Sequence, residues 1–178
     1  MYSFINIGGL AVRMAVAMLI GLWVWDEVSY NRNFQNHDSI AHVHNHTIEP
    51  LEKKADYSTS MQQPLATVLR EKYGHIFKHV ILLQWESDYS IKIGDNNVVK
   101  TGQFFSEGVL DMFSLKMLKG SKESLKDMHG IVISETTSIS LFGEKDPIGE
   151  IVKLNNKINC KITGVYEDIA KNSFLGDI

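Results

Sequence analysis

Between Phe4 and Trp25 the chain reads FINIGGLAVRMAVAMLIGLWVW, which is apolar, aromatic or glycine everywhere except Asn6 and Arg13. A helix of this length reaches roughly 33 Å, enough to cross a hydrocarbon core of about 30 Å. The apolar residues fall on all sides rather than on one stripe, which argues against a buried helix of a soluble core. Trp23 and Trp25 fit an interfacial belt. The start, Met1-Tyr2-Ser3, is uncharged, and the run closes in Trp-Val-Trp, unlike the basic start and small-residue cleavage site of a signal peptide. After Trp25 the pattern switches to DEVSYNRNFQNHD. The pattern predicts a continuous helix projecting from a polar domain of about 150 residues, with its apolar side chains unburied.

Within the helix, Arg13 costs roughly 2.5–3.5 kcal/mol at mid-bilayer, which the surrounding apolar residues offset. Ala11 with Ala15, and Ala17 with Gly21, allow close approach of a second helix, a signal common to many such helices. Charge does not set the orientation: no Lys or Arg precedes the span, and only Arg32 follows closely.

Downstream the periods shorten. Residues 26–39 read as a polar juxtamembrane connector with Tyr30 and Phe34 as anchors. Ile40–Ile48 reads as a strand with Ala41 and Val43 on one face, and Glu49–Ser60 as a loop. Pro64 suits a first helical turn, Leu65, Val68 and Leu69 follow at helical spacing, and Gly74 ends the helix. Phe77–Trp85 is strand-like. Tyr89–Ile93 and Val98–Gly102 flank Gly94-Asp95-Asn96-Asn97 as a hairpin. Phe104–Phe113 is aromatic-rich and helical from Ser106, with Phe104, Phe105 and Phe113 assigned to the core. Leu115–Leu118 is extended, and Gly120–Gly130 is a loop with one helical turn. Ile131–Ile133 is a short buried strand feeding a helix capped by Ser134 and stopped by Gly143, with Leu141 and Phe142 packed on the sheet. Asp146-Pro147-Ile148-Gly149 is a turn, and Ile151–Leu154 and Ile158–Val165 flank Asn155-Asn156-Lys157 as a second hairpin. Strands mixed with short helices predict an α+β domain rather than a doubly wound sheet.

Composition adds exclusions. The formal net charge is −3, so there is no basic footprint for nucleic acid. Hydrophobic residues at 44% and charged residues at 22% are ordinary for a packed domain, and there is no low-complexity run or internal repeat. Cys160 is the sole cysteine, so no internal disulfide forms.

Candidate chemistry is sparse. His42, His44 and His46 alternate along the predicted strand and share a face, where three imidazoles resemble a zinc or copper site. No cysteine or carboxylate stands at a familiar ligand spacing beside them, which favours a solvated face. Asp26 and Glu27 are adjacent and diverge by about 100° on a helix, a poor acid/base pair. Ser134-Glu135 lacks a Gly-x-Ser-x-Gly frame, and neither a Walker A sequence nor Gly-x-Gly-x-x-Gly occurs. No catalytic, cofactor-binding or metal residue is assigned, and no cofactor is expected.

The helix and its exit, NIGGLAVRMAVAMLIGLWVWDEVSYNRNFQNHDSI, resemble the first membrane span of MacB/FtsX-type ABC transporter permeases, in particular their Bacteroidetes-like branch. Further matches follow in order: Gln103-Phe104-Phe105 through Phe113; Ile131-Val-Ile-Ser-Glu-Thr; Leu141-Phe-Gly; Asp146-Pro-Ile-Gly; Ile162-Thr-Gly-Val; and Asn172-Ser173. Arg13 departs from the family, which usually carries a small residue there.

The resemblance implies a first membrane span at 1–25, a connector at 26–39 and a MacB-like periplasmic core domain at 40–178. The chain is expected to be an N-terminal portion, since the family continues into the rest of the domain and three further spans. The expected role is a non-catalytic permease part in the cell inner membrane, with its domain in the periplasm. A partner ABC ATPase, a permease homodimer or heterodimer, and a periplasmic or outer-membrane protein are the partners implied, acting in export or extraction of substrate. Two other classes stay open on residues alone: a single-pass sensor with a ligand-binding ectodomain, and a membrane-anchored metalloenzyme built on the three histidines.

Overall fold

The computed structural model describes residues 2–48, 55–170 and 172–175. It divides into two compact units. The first holds the N-terminal residues through Asn33 with the segment that begins at Ile169, and the second runs from Phe34 to Asp168.

In the first unit, helix α1 spans Tyr2–Ser29. It outruns the predicted span at its C-terminal end, taking in Asp26 to Ser29 that were assigned to the connector, because an established helix adds residues at little cost. Within Phe4–Ser29 an 18-residue window reaches a mean hydropathy of 2.0, and none of that window is buried. The apolar side chains are exposed on every side, from Phe4 and Ile7 to Trp25 and Val28. Two residues past the helix, Asn31 takes φ 62°, the left-handed conformation that asparagine tolerates better than most residues.

The second unit is built on a six-stranded mixed sheet with a separate two-stranded ribbon. The ribbon pairs β1 (Asn45–Ile48) antiparallel with β2 (Ala55–Ser58). The strand expected over Ile40–Ile48 is therefore only its last four residues, and Ala41 and Val43 are exposed. The loop expected over Glu49–Ser60 contains β2, while its residues 49–54 lie outside those described. Phe34 is not an anchor for lipid: it is buried and meets Phe113 edge-on at 5.0 Å.

Helix α2 spans Pro64–Tyr73, with proline in its first turn. Gly74 follows as expected but in right-handed geometry (φ −59°), and the buried residue is Ala66, Val68 being exposed. No strand forms over Phe77–Trp85. The backbone groups there are satisfied piecemeal instead. Arg70 donates to the Val80 carbonyl at 2.6 and 3.1 Å, and the Leu82 N–H donates to Ser106 Oγ at 2.9 Å. A single bridge, Leu83 to Phe105, replaces the ladder.

The first hairpin joins β3 (Ser87–Ile93) to β4 (Asn96–Gly102). Its loop is two residues, and Gly94 supplies φ +55° at the first position, as a type II′ turn requires. Helix α3 is one turn, Val109–Met112, beginning later than expected after Gly108. Strand β5 (Met117–Lys119) and a 3₁₀ turn (Ser124–Lys126) lead to β6 (Gly130–Ser134). Helix α4 (Glu135–Phe142) follows, with Ser134 Oγ accepting from the Thr137 N–H at 3.3 Å and Gly143 at φ +62° ending it. The second hairpin joins β7 (Ile151–Leu154) to β8 (Ile158–Tyr166) through Asn155 and Asn156, at φ 49° and 57°.

Strand β8 is the hub: it pairs antiparallel with β7 and β5 and parallel with β6. Hairpin β3–β4 joins through β7. The core comprises Ile91, Ile133, Leu141, Val152, Leu154, Cys160, Ile162 and Val165. Leu141 is fully buried, whereas Phe142, expected to bury with it, is half-buried against the core's margin. The fold is α+β.

Candidate functional site at the helix exit

Where α1 ends, the chain meets its own returning segment within the first unit. Ser29 Oγ donates to the Asp26 carbonyl at 3.1 Å and accepts from Asn172 Nδ2 at 2.9 Å. Asn172 Oδ1 accepts from Asn33 Nδ2 at 3.0 Å, and its carbonyl accepts from the Asn31 N–H at 3.1 Å. Asn31 Oδ1 accepts from the Phe174 N–H at 2.6 Å. The Asn172 amide thus donates with its nitrogen and accepts with its oxygen at once, which neither aspartate nor alanine reproduces. The left-handed turn at Asn31 aims its backbone and its side chain at the same segment. Each bond contributes roughly 0.5–1.5 kcal/mol net. The arrangement holds no nucleophile or proton-transfer pair; what it does is join the helix exit to a segment far along the sequence.

A second polar cluster lies in the sheet unit. Asp111, at the end of α3, accepts from Lys78 at 3.0 Å, His79 at 2.8 Å and Lys122 at 2.9 Å. The Lys122 bond, with Lys78 and His79, holds the Asp111 carboxyl well below the usual carboxylate range. Asp168 accepts from the Thr136 N–H at 3.1 Å and from its hydroxyl, and its carboxyl is also lowered, chiefly by that hydroxyl. Burial pushes the Cys160 thiol up, which makes it a poor nucleophile.

The residues weighed from sequence fall as follows. Only His46 of the three histidines lies on a strand; His42 and His44 precede β1, with ring centroids 4.6 Å apart, and all three are exposed. Among the described residues no group of three or more metal-ligating side chains converges. Asp26 and Glu27 sit in the last turns of α1, and Ser134 is the cap of α4. Phe113 is buried, but Phe104, assigned to the core, is half-exposed and meets Tyr89 edge-on at 5.5 Å. The exit asparagines and the Asp111 cluster were not anticipated as sites. The run Asn31-Arg32-Asn33, which favours a left-handed turn just past a helix, and the Asn172-Ser173 match to the family pattern were the signals available.

A family model described as the MacB-like periplasmic core domain matches residues 3–178. A comparison with curated proteins returns no match. The extracellular domain of the noncanonic ABC-type transporter YknZ from Gram-positive bacteria is similar at TM-score 0.50 and 18% identity, over 61% of this chain and 58% of that one. The periplasmic region of MacB from Actinobacillus actinomycetemcomitans is similar at TM-score 0.51 and 18% identity, over 61% of this chain and 51% of that one. The chain therefore spans between half and three-fifths of these structures, and at such identity the likeness is one of fold. The family match runs through both the apolar helix and the sheet unit, and by it the chain belongs to the family of MacB-like periplasmic core domains.

Proposed function

We propose that this chain is the first membrane span and extracytoplasmic core of an ABC transporter permease, carrying motion from a cytoplasmic partner ATPase to the outer face of the membrane. The sheet unit is then periplasmic and α1 lies in the inner membrane. The chain itself is non-catalytic and needs no cofactor. It works as part of a permease homodimer or heterodimer, with a periplasmic or outer-membrane protein as a further partner in export or extraction of substrate.

The observation that carries this reading is the joined helix exit. The sheet unit is connected to the helix unit twice along the chain, at Asn33–Phe34 and at Asp168–Ile169. Because Asn172 bonds Ser29 and Asn33, a displacement of the helix reaches both connections together. A simple tether would need only one of them.

The test is ATP hydrolysis and transport measured side by side in the complete transporter carrying Asn172→Ala. Hydrolysis within about twofold of wild type with transport reduced tenfold or more is the expected result. Undiminished transport in the variant removes the coupling role. Failure of any ABC ATPase to co-purify with the tagged chain from native membranes removes the permease reading itself.

A further inference from the structure

The solvent face of the sheet concentrates positive charge where a sheet normally avoids it. Lys92 on β3 stands directly opposite Lys153 on β7, and Lys153 stands opposite Asn159 on β8. Two pairs along, Ile151 stands opposite Lys161. Side chains alternate between faces, so Lys92, Lys153, Lys161, Ile151 and Asn159 share the face away from Ile91, Val152, Cys160 and Ile162, which are core.

Like charges directly opposite on neighbouring strands are destabilising, with Cβ atoms only about 4.5–5.5 Å apart. Lysine is common on edge strands, where it blocks unwanted pairing. Strands β3, β7 and β8 are interior to the order β4-β3-β7-β8-β5, so that explanation does not apply. Elsewhere lysines pair locally: Lys116 with Glu167, Lys119 with Asp146, Lys126 with Glu123. Among the described residues, no carboxylate forms an ion pair with Lys92, Lys153 or Lys161. The one carboxylate at outward register on β3, Asp88, lies at the far end and accepts from Thr101. Between Lys92 and Lys153 the surface dips into a concavity of about 310 Å³, lined also by Ile93, Ile151, Asn156 and Asn159. Ile151 is 63% exposed within a chain whose net charge is negative.

We infer that this face, Lys92, Lys153 and Lys161 around Ile151, is a docking surface for an acidic, extended segment of a partner protein. Carboxylates of such a segment, alternating with apolar residues, would neutralise the opposed lysines, cover Ile151 and find amide donors at Asn156 and Asn159. Alternation at strand spacing favours an extended peptide over a lipid headgroup, which would leave Ile151 and the asparagines without a role. The inference does not depend on the coupling role proposed above.

The test uses the full chain in phosphatidylcholine nanodiscs and a fluorescein-labelled peptide of alternating glutamate and valine, read by anisotropy. Lys153→Glu should weaken binding tenfold or more, whereas Lys145→Glu, the same charge change on an exposed loop, should change it less than twofold. The Lys153→Glu domain should keep its thermal midpoint, since a Glu opposite Lys92 replaces a repulsion with an attraction. Equal effects of the two variants, or wild-type binding no tighter than to a serine–valine peptide, overturn the inference. So does quenching of a dye at Lys153→Cys by doxyl lipids in phosphatidylglycerol discs but not in phosphatidylcholine discs, which would place the face against lipid.

Discussion

Ser134 and Asp111 show how unequally single residues declare themselves. Ser134 was legible because a cap is local: its hydroxyl serves the Thr137 N–H three residues on. Ser134→Ala should cost about 0.5–2 kcal/mol in chemical denaturation, the range for losing a cap. Leu141, fully buried in α4, should cost about 2–5 kcal/mol as Leu141→Ala. Phe142→Ala should fall below the roughly 3–5 kcal/mol of a buried phenylalanine, because that ring is only partly buried at the core's margin. A denaturation midpoint series in which Phe142→Ala was the more damaging of the two would reverse this ranking. Asp111 was not legible, since its partners come from two distant segments, Lys78 with His79 and Lys122. Its carboxyl is lowered in the folded state relative to about 3.9 unfolded. A depressed acid contributes stability above its unfolded value and loses it as pH falls toward the folded one. Thermal melts below about pH 4 should therefore fall less steeply for Asp111→Asn than for wild type; parallel slopes would show that the lysine bonds contribute nothing.

At the scale of elements, what sequence revealed depended on whether neighbours in sequence are neighbours in space. Both hairpins were readable from Gly94-Asp95 and Asn155-Asn156, whose turn preferences act within a few residues. The strand expected over Phe77–Trp85 failed because its apolar run lies beside Phe104 and Phe105 with a single bridge, and Arg70 takes the Val80 carbonyl that a ladder would have used. The burial of Phe34 was hidden for the same reason: its partner, Phe113, lies far along the chain. The exit of α1 is the extreme case, with Asn172 reaching across almost the whole sequence to Ser29. Asn31→Ala should remove the acceptor for the Phe174 N–H and also place at φ 62° a residue that lacks the short polar side chain by which asparagine tolerates the left-handed conformation. Hydrogen exchange at the Phe174 amide should accelerate about tenfold, the equivalent of roughly 1.4 kcal/mol. Amides of β8 should keep their protection, because the bond lies within the helix unit. Unchanged exchange at Phe174 would mean that the exit contact is not held in solution.

For the molecule as a whole, the question is what solvent surrounds α1. Its apolar side chains lie exposed on all faces, and the sheet core is complete without any of them. In water that surface would be a large aggregation liability, since monomeric soluble proteins rarely expose apolar patches beyond a few hundred Å². In a bilayer it is the required surface, and the backbone groups between the helix's terminal turns are satisfied within the helix. The two alternatives respond oppositely to charge. Val16→Asp with Leu19→Asp adds about 2.5–3.5 kcal/mol per aspartate to insertion at mid-helix. The full chain should then move from the carbonate-resistant membrane fraction toward the soluble one. The sheet unit should keep its thermal midpoint, because neither position contributes to its core. Were α1 packed into a soluble domain instead, the same pair would bury two unpaired carboxylates and unfold it. Retention in the membrane together with a large loss of thermal stability is thus the outcome that would overturn a bilayer-spanning α1.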